Sequence, residues 1–334
     1  MSGGIPDVLA HSRLARIIAD MKSRADTART EAVTGRYEDI TKAVNGDIGG
    51  AHLVLKAIDD AKSYQTMLSL AESRAAQTQA TLVNLTDQSR TISTDALSFL
   101  NRGDNDSMKT IAADANASLS VIFSSLSVSV GGRSLFGGDA VDRAPLGDVE
   151  DLIADVGAIL AGAADAATAD AALDFYFNDP TGGFATTIYQ GGSGNAPMTE
   201  IAPGVRISAS VKADNQAIKD VMRGFAVLAN FDQMPGGSAA ERQAAMVSAA
   251  ELVIDAEGDL VNIRAAIGVA EQRISGSKSR YEAEETVLTN VYNQKTAKDE
   301  FEAASALTAL ETQLEASYIM TARLSQLNLA NFLR

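Results

Sequence analysis

Two histidines, His11 and His52, and an acidic run of Asp148, Glu150, Asp151 and Asp155 are the side chains here best suited to chemistry. A histidine works as a base or a metal ligand beside a partner that fixes its tautomer, and neither histidine has a carboxylate motif nearby. Both fall on a predicted helix or its edge, where solvation or packing is the expected role. The acidic run could hold a cation, but four carboxylates at the start of a helix also complement its dipole, and that is the expectation. Asp104-Asn105-Asp106 reads as a helix-start turn, lacking the glycine and the distal glutamate of a calcium loop. The glycine pairs Gly131-Gly132, Gly137-Gly138 and Gly182-Gly183 and the run Gly191-Gly192-Ser193-Gly194 lack the lysine-serine/threonine ending of a phosphate loop. With no cysteine there is no disulfide, thiolate zinc site or cysteine nucleophile. The expectation is a chain that is not an enzyme, with no catalytic residue, no metal and no cofactor.

What remains is a question of shape and surface. The formal net charge is −15, from 43 acidic and 28 basic residues, so nucleic acid and anionic membrane surfaces are poor partners. Aromatic residues make up only 5% and tryptophan is absent, while alanine and leucine abound. Small apolar helix formers suit thin helix–helix seams. The start, from Met1 to Asp7, carries neither a basic region nor an apolar stretch, so no cleaved signal peptide is expected. No run of about 18 apolar residues predicts a membrane span.

The strongest pattern is a heptad. Val54, Ala57, Ala61, Tyr64, Leu68, Ala71, Ala75, Thr78, Leu82, Leu85, Ser89, Ile92, Ala96 and Phe99 recur at spacings of three and four. That spacing predicts one helix from Asp47 to Asn101, about 80 Å long, facing a partner helix. It stops at the turn-forming cluster 102–106, and a second stripe follows at Met108, Ile111, Ala115, Leu119, Ile122 and Leu126. Toward the other end, Leu260, Ile267, Ile274, Tyr281 and Leu288 recur every seven residues, with Ile263 and Ala270 between them. The spacing predicts helix from about Ser238 to Ala330, single or broken near Gly276. Tyr64 and Tyr281 fall on these seams and read as packing residues. Helices this long need a partner along their length, and each terminal region is the other's natural antiparallel partner. The first helix, with Leu14, Ile17, Ile18, Met21, Ala25, Ala28 and Ala32 on one face, should end near Thr34-Gly35.

Residues 131–236 differ, holding five of the six prolines. Phe184–Tyr189 and Val205–Val211 alternate as strands do, and Pro203-Gly204 reads as a turn from a strand near Met198–Ala202. Helical patches are predicted at Asp148–Leu160, Ala166–Phe177 and Gln216–Phe231. The expected fold is mainly α: a long antiparallel helical hairpin or coiled-coil bundle formed by both termini, with a small α+β domain inserted in the middle. The expected parts are an N-terminal assembly helix and turn over 1–45, a helical stalk over 46–130, the insert over 131–236, a returning stalk over 237–300 and a C-terminal assembly helix over 301–334.

Helical ends around a variable centre resemble the bacterial flagellin family. Leu310-Glu311-Thr312-Gln313-Leu314-Glu315-Ala316-Ser317-Tyr318, then Thr321–Leu327 and Asn331-Phe332-Leu333, look like that family's terminal helix. Thr34-Gly35-Arg36-Tyr37 is similar to its turn after the first helix, although Lys42–Asp47 replaces the usual asparagine-rich segment and paired aspartates. Gly132-Arg133-Ser134-Leu135-Phe136-Gly137-Gly138, and Tyr189-Gln190-Gly191-Gly192 with Ile201–Val205, resemble the hook–filament junction branch (hook-associated protein 3 type). That resemblance implies export without a cleaved signal through the flagellar type III apparatus, with an export chaperone. It implies an extracellular ring of subunits, partnered by flagellin on one side and the hook-side junction protein on the other. The assembly residues it implies are Leu14, Ile17, Ile18, Met21, Leu307, Leu310, Leu314, Tyr318, Leu324, Leu327, Phe332 and Leu333. Two other readings stand beside it: a flagellin paralogue forming the filament itself, and a soluble coiled-coil signalling scaffold.

Overall fold

The structure, a computed structural model, describes residues 5–43, 48–100, 105–234 and 239–332. The side chains of 5–11, 40, 42, 99–100, 105, 239 and 324–332 are not among those described. The predicted turn at 102–106 and the replaced segment 42–47 therefore lie largely outside the described residues, and the side chains of His11 and Phe99 lie outside them too. The helices are α1 (Ile5–Thr34), α2 (Ile40–Ala43), α3 (Ile48–Leu100), α4 (Asn105–Leu126), α5 (Val149–Gly162), α6 (Ala166–Asn178), α7 (Gln216–Ala229), α8 (Ala239–Thr296) and α9 (Glu300–Phe332). Strands are few: β1 (Ser129–Val130) pairs with β2 (Arg133–Ser134), and β3 (Thr199–Ala202) with β4 (Val205–Ile207). The fold is mainly α, with the helices of both termini packed together, as the heptads predict. The chain divides into two units, Met1–Ser63 with Tyr281–Arg334, and Tyr64–Arg280.

In the Tyr64–Arg280 unit, α3 and α8 run antiparallel. Glu72 pairs with Lys278 at 2.8 Å, the Gln79 amide donates to the Arg264 carbonyl at 2.8 Å, and Arg90 pairs with Glu257. As the α3 numbers rise, the α8 numbers fall. Leu68, Ala75, Leu82, Leu85, Ser89, Ile92 and Ala96 on α3 are buried, as are Leu260, Ile267, Ala270 and Ile274 on α8. All six predicted stripe residues of α4 are buried as well.

The middle of the chain closes a globular core against these helices. Phe136, Phe177, Phe184 and Phe225 are fully buried. The Phe177 and Phe184 rings stack with centroids 5.5 Å apart, and Tyr176 meets Phe177 edge-on at 5.1 Å. Burying each such ring is worth about 1.5–3 kcal/mol, enough to hold a segment with so little sheet. The three helices here start where the sequence predicts. Asp148, Asp165 and Asn215 cap them, each side chain accepting from a backbone N–H of the first turn. Gly131 and Gly132 take φ of 62° and 72°, making the tight β1–β2 turn that residues with a Cβ rarely adopt.

Three local expectations are corrected. Phe184–Ile188 is a π-helical turn rather than a strand. Phe184 and Ile188 are both buried, and the Tyr189 N–H donates to the Phe184 carbonyl at 2.7 Å. Apolar residues four apart share a face in a helical turn, so six residues of apparent alternation fit either period. The Gly182-Gly183 pair allows this turn to lie against α6, since a Cβ on Gly182 would sit 2.4 Å from the Phe175 and Tyr176 carbonyls. Next, β4 ends at Ile207 and 208–211 has no ladder partner, although Pro203-Gly204 makes the predicted turn, with Gly204 at φ 75°. Finally, α8 runs unbroken past Gly276, and the break falls at 297–299. A helical glycine costs about 1 kcal/mol, too little to stop a helix whose flanking Ile274 and Tyr281 are both buried.

Candidate assembly interface

In the unit formed by the two ends, α1 and α9 run antiparallel. Arg29 pairs with Glu311 at 3.2 Å, and Ser317 Oγ lies 3.8 Å from Met21 Sδ. The α1 stripe reads Leu14, Ile18, Met21, Ala25, Ala28, Ala32 and Gly35, spaced by three and four. Ala25 and Ala28 are buried and the others half-buried. On α9 the matching stripe is Ala303, Leu307, Leu310, Leu314, Ser317 and Thr321, with Ala303 buried and the rest half-buried. Small residues let the two helices approach closely, but they bury little area, so the seam is thin.

The predicted assembly residues therefore fall into three groups. Leu14, Ile18, Met21, Leu307, Leu310 and Leu314 lie on the α1–α9 seam. Ile17 and Tyr318 are exposed on their helices, as are Val33, Phe301, Ile319 and Met320. Leu324, Leu327 and Phe332 lie on or beyond the last described turns of α9, their side chains outside the described residues, as is all of Leu333. The two helices thus spend one apolar stripe on each other and keep a second set of large apolar side chains in solvent. Where such side chains adjoin, exposed apolar surface marks sites that bind other proteins.

A compact polar clamp fixes the inner end of this pair. The Tyr37 N–H donates to the Thr296 carbonyl and the Lys298 N–H to the Gly35 carbonyl, both at 3.0 Å. Arg36 donates to Asn293 Oδ1 at 2.6 Å. Beneath lies the Glu31–Lys298 ion pair at 2.9 Å, its side chains only 7% and 15% exposed. The other Glu31 oxygen accepts the Glu38 N–H at 3.2 Å, and Lys298 sits 4.8 Å from the centre of the Tyr37 ring. The hydrogen bond to Glu31 holds Lys298 above the ordinary lysine range. Gly35 has φ 63°, which ends α1 in the left-handed conformation that glycine favours. Asp299 then starts α9, its Oδ1 accepting the N–H groups of Phe301 and Glu302.

The clamp was only half visible in the sequence. Thr34-Gly35 marks the end of α1, and Asp299 with Glu302 three residues on is a helix-start signature at the true break. Nothing local announces that Glu31 and Lys298, 267 positions apart, would meet.

Two of the side chains first considered for chemistry have structural partners. Asp148 caps α5, and Asp155 accepts the Tyr176 hydroxyl at 2.8 Å. His52 is exposed. No group of three or more acidic or histidine side chains placed to hold a metal occurs among the described residues. No described helix is long and apolar enough to cross a membrane.

Residues 251–333 match the family model of the bacterial flagellin C-terminal helical region. A search of curated proteins gives no match. Among solved structures, a protein of Vibrio parahaemolyticus described as a flagellar hook-associated protein is similar with a TM-score of 0.52 at 12% identity. That likeness covers 75% of this chain and 99% of the other, and it is one of fold. FlgL of Bacillus cereus aligns at a TM-score of 0.44 and 16% identity, over 74% of this chain and 97% of its own.

Proposed function

We propose that this flagellin-family chain is a structural adaptor of the bacterial flagellum, joining the hook-side junction ring to the flagellin filament. The single observation that carries the reading is the second apolar set on α1 and α9. A thin two-helix seam leaves Ile17, Val33, Phe301, Tyr318, Ile319 and Met320 in solvent, and docking against terminal helices of neighbouring subunits would cover them. Such contacts are heterologous, as stacked rings require. The subunit is exported without a cleaved signal, escorted by a chaperone that shields these helices, and orders its ends fully on joining the ring. The Tyr64–Arg280 unit, with its own aromatic core, supplies a body that needs no partner to fold.

The test is a strain lacking the gene, viewed by electron microscopy with flagellin assayed in the medium. The adaptor reading predicts bare hooks, with flagellin lost to the medium at roughly the level normally assembled. Normal filaments would contradict it in favour of a redundant filament protein or a signalling scaffold. Bare hooks without flagellin outside would contradict it in favour of the filament subunit itself.

A further inference from the structure

Several cations held away from solvent have an acidic partner: Lys278 has Glu72, Arg223 has Asp170 and Asp174, and Lys298 has Glu31. Among the described residues Lys219 and Arg264 lack one, and so do Arg74 and Arg133, which line the same cavity. Both are half-buried, and neither has a carboxylate partner among the described residues, in a chain carrying 15 excess negative charges. Arg74 Nε is shut off from solvent with no hydrogen-bond partner, and so is the hydroxyl of Ser134, a residue only 8% exposed. All three residues line one cavity of about 60 Å³, together with Thr199 and Ser210. They come from three separate segments, α3, β2 and the β3–β4 hairpin with its flanks.

Burial, and to a lesser degree the like charge of Arg133, pulls Arg74 below the ordinary arginine range, since two neighbouring guanidinium groups repel one another. Leaving buried donors unmatched costs free energy as well. Both costs vanish when one group accepts from all of these donors at once. A guanidinium fork is shaped for oxyanions, and a tetrahedral one offers oxygens to two forks and a hydroxyl together. The cavity has room for an ion of a few heavy atoms but none for a nucleotide.

We propose that Arg74, Arg133 and Ser134 form a binding site for one small tetrahedral oxyanion of the phosphate or sulfate class. Bound there, the ion ties β2 and the β3–β4 hairpin to α3 and stabilises the folded state by mass action. The site lies wholly within Tyr64–Arg280 and is independent of the terminal helices.

The experiment is thermal unfolding of the full chain in inorganic phosphate against chloride at matched ionic strength, with phosphate binding followed by calorimetry. A saturable rise of the unfolding temperature in phosphate is expected. Arg133→Gln should weaken phosphate binding by about tenfold or more while leaving the phosphate-free unfolding temperature unchanged or higher, because a repulsion has gone. Ser134→Ala, which removes a single hydroxyl, should weaken binding severalfold and guards against a misfolded arginine variant. Equal unfolding temperatures in phosphate and chloride would overturn the site. So would a phosphate response that survives in both variants, and an equal response to acetate would overturn the tetrahedral class.

Discussion

Replacing Leu314 by aspartate is expected to abolish incorporation of the subunit into flagella while leaving the Tyr64–Arg280 unit folded. Leu314 is half-buried on the α9 stripe that carries Ser317, which touches Met21 of α1. An aspartate there forfeits about 1–2 kcal/mol of apolar burial and places a charge in the seam. It also adds a like charge three residues from Glu311 on the same helix. Together these amount to about 3 kcal/mol, a factor of about 100 in any pairing equilibrium of the terminal helices. The Phe136, Phe177, Phe184 and Phe225 core lies in the other unit, so its thermal transition should move by no more than about 2 °C. Incorporation is read from the protein content of sheared flagella, the transition from circular dichroism of the purified chain. A fall of about 8 °C or more would mean that the ends and the centre unfold together, and the assembly-dependent picture of the ends would be wrong.

The second large effect belongs to Lys298. Lys298→Met leaves Glu31 buried beside an apolar side chain, retaining only the Glu38 N–H as partner among the described residues. Breaking a buried pair from one side costs about 3–5 kcal/mol, because the remaining charge is uncompensated. Amide exchange of Tyr37, whose N–H is held by the Thr296 carbonyl, should accelerate by at least about a hundredfold. Adding Glu31→Gln should recover part of that loss, since the orphaned charge is then removed. The sign of the pH dependence follows from the raised lysine. Its contribution is fully present below the unfolded lysine range and is lost only as pH rises through the higher folded value. The wild-type clamp should therefore be insensitive to pH near neutrality and weaken in strong alkali. Unchanged exchange at Tyr37 in Lys298→Met would show that the backbone bonds alone hold the turn.

Most of the helical frame could be read from the chain, because helix limits and seams are written locally. The heptad of α3, the stripe of α4 and the helix starts near Asp148 and Gln216 each rest on a few adjacent residues, and the structure places them as predicted. Errors arose where two physical readings share one pattern. Phe184–Ile188 alternates over too short a span to separate a strand from a helical turn, and the choice was made by Phe177 and the close approach to α6. Gly276 looked like a breaker because propensity is local, while burial of Ile274 and Tyr281 acts over the whole helix. At the ends, sequence spacing put Ile17 and Ile18 on one face. Packing against α9 separates them, half-burying Ile18 and leaving Ile17 exposed. The Glu31–Lys298 clamp was not legible, for it joins residues from opposite ends of the chain that only the fold brings together.

The most direct test of the adaptor reading is where the protein sits on an intact flagellum. Immunogold labelling of isolated hook–filament assemblies, with antibody raised to the Tyr64–Arg280 unit, should give one narrow band at the boundary between hook and filament. Label distributed along the filament would contradict the account and make the chain a filament subunit, while flagella without label would remove it from the structure altogether.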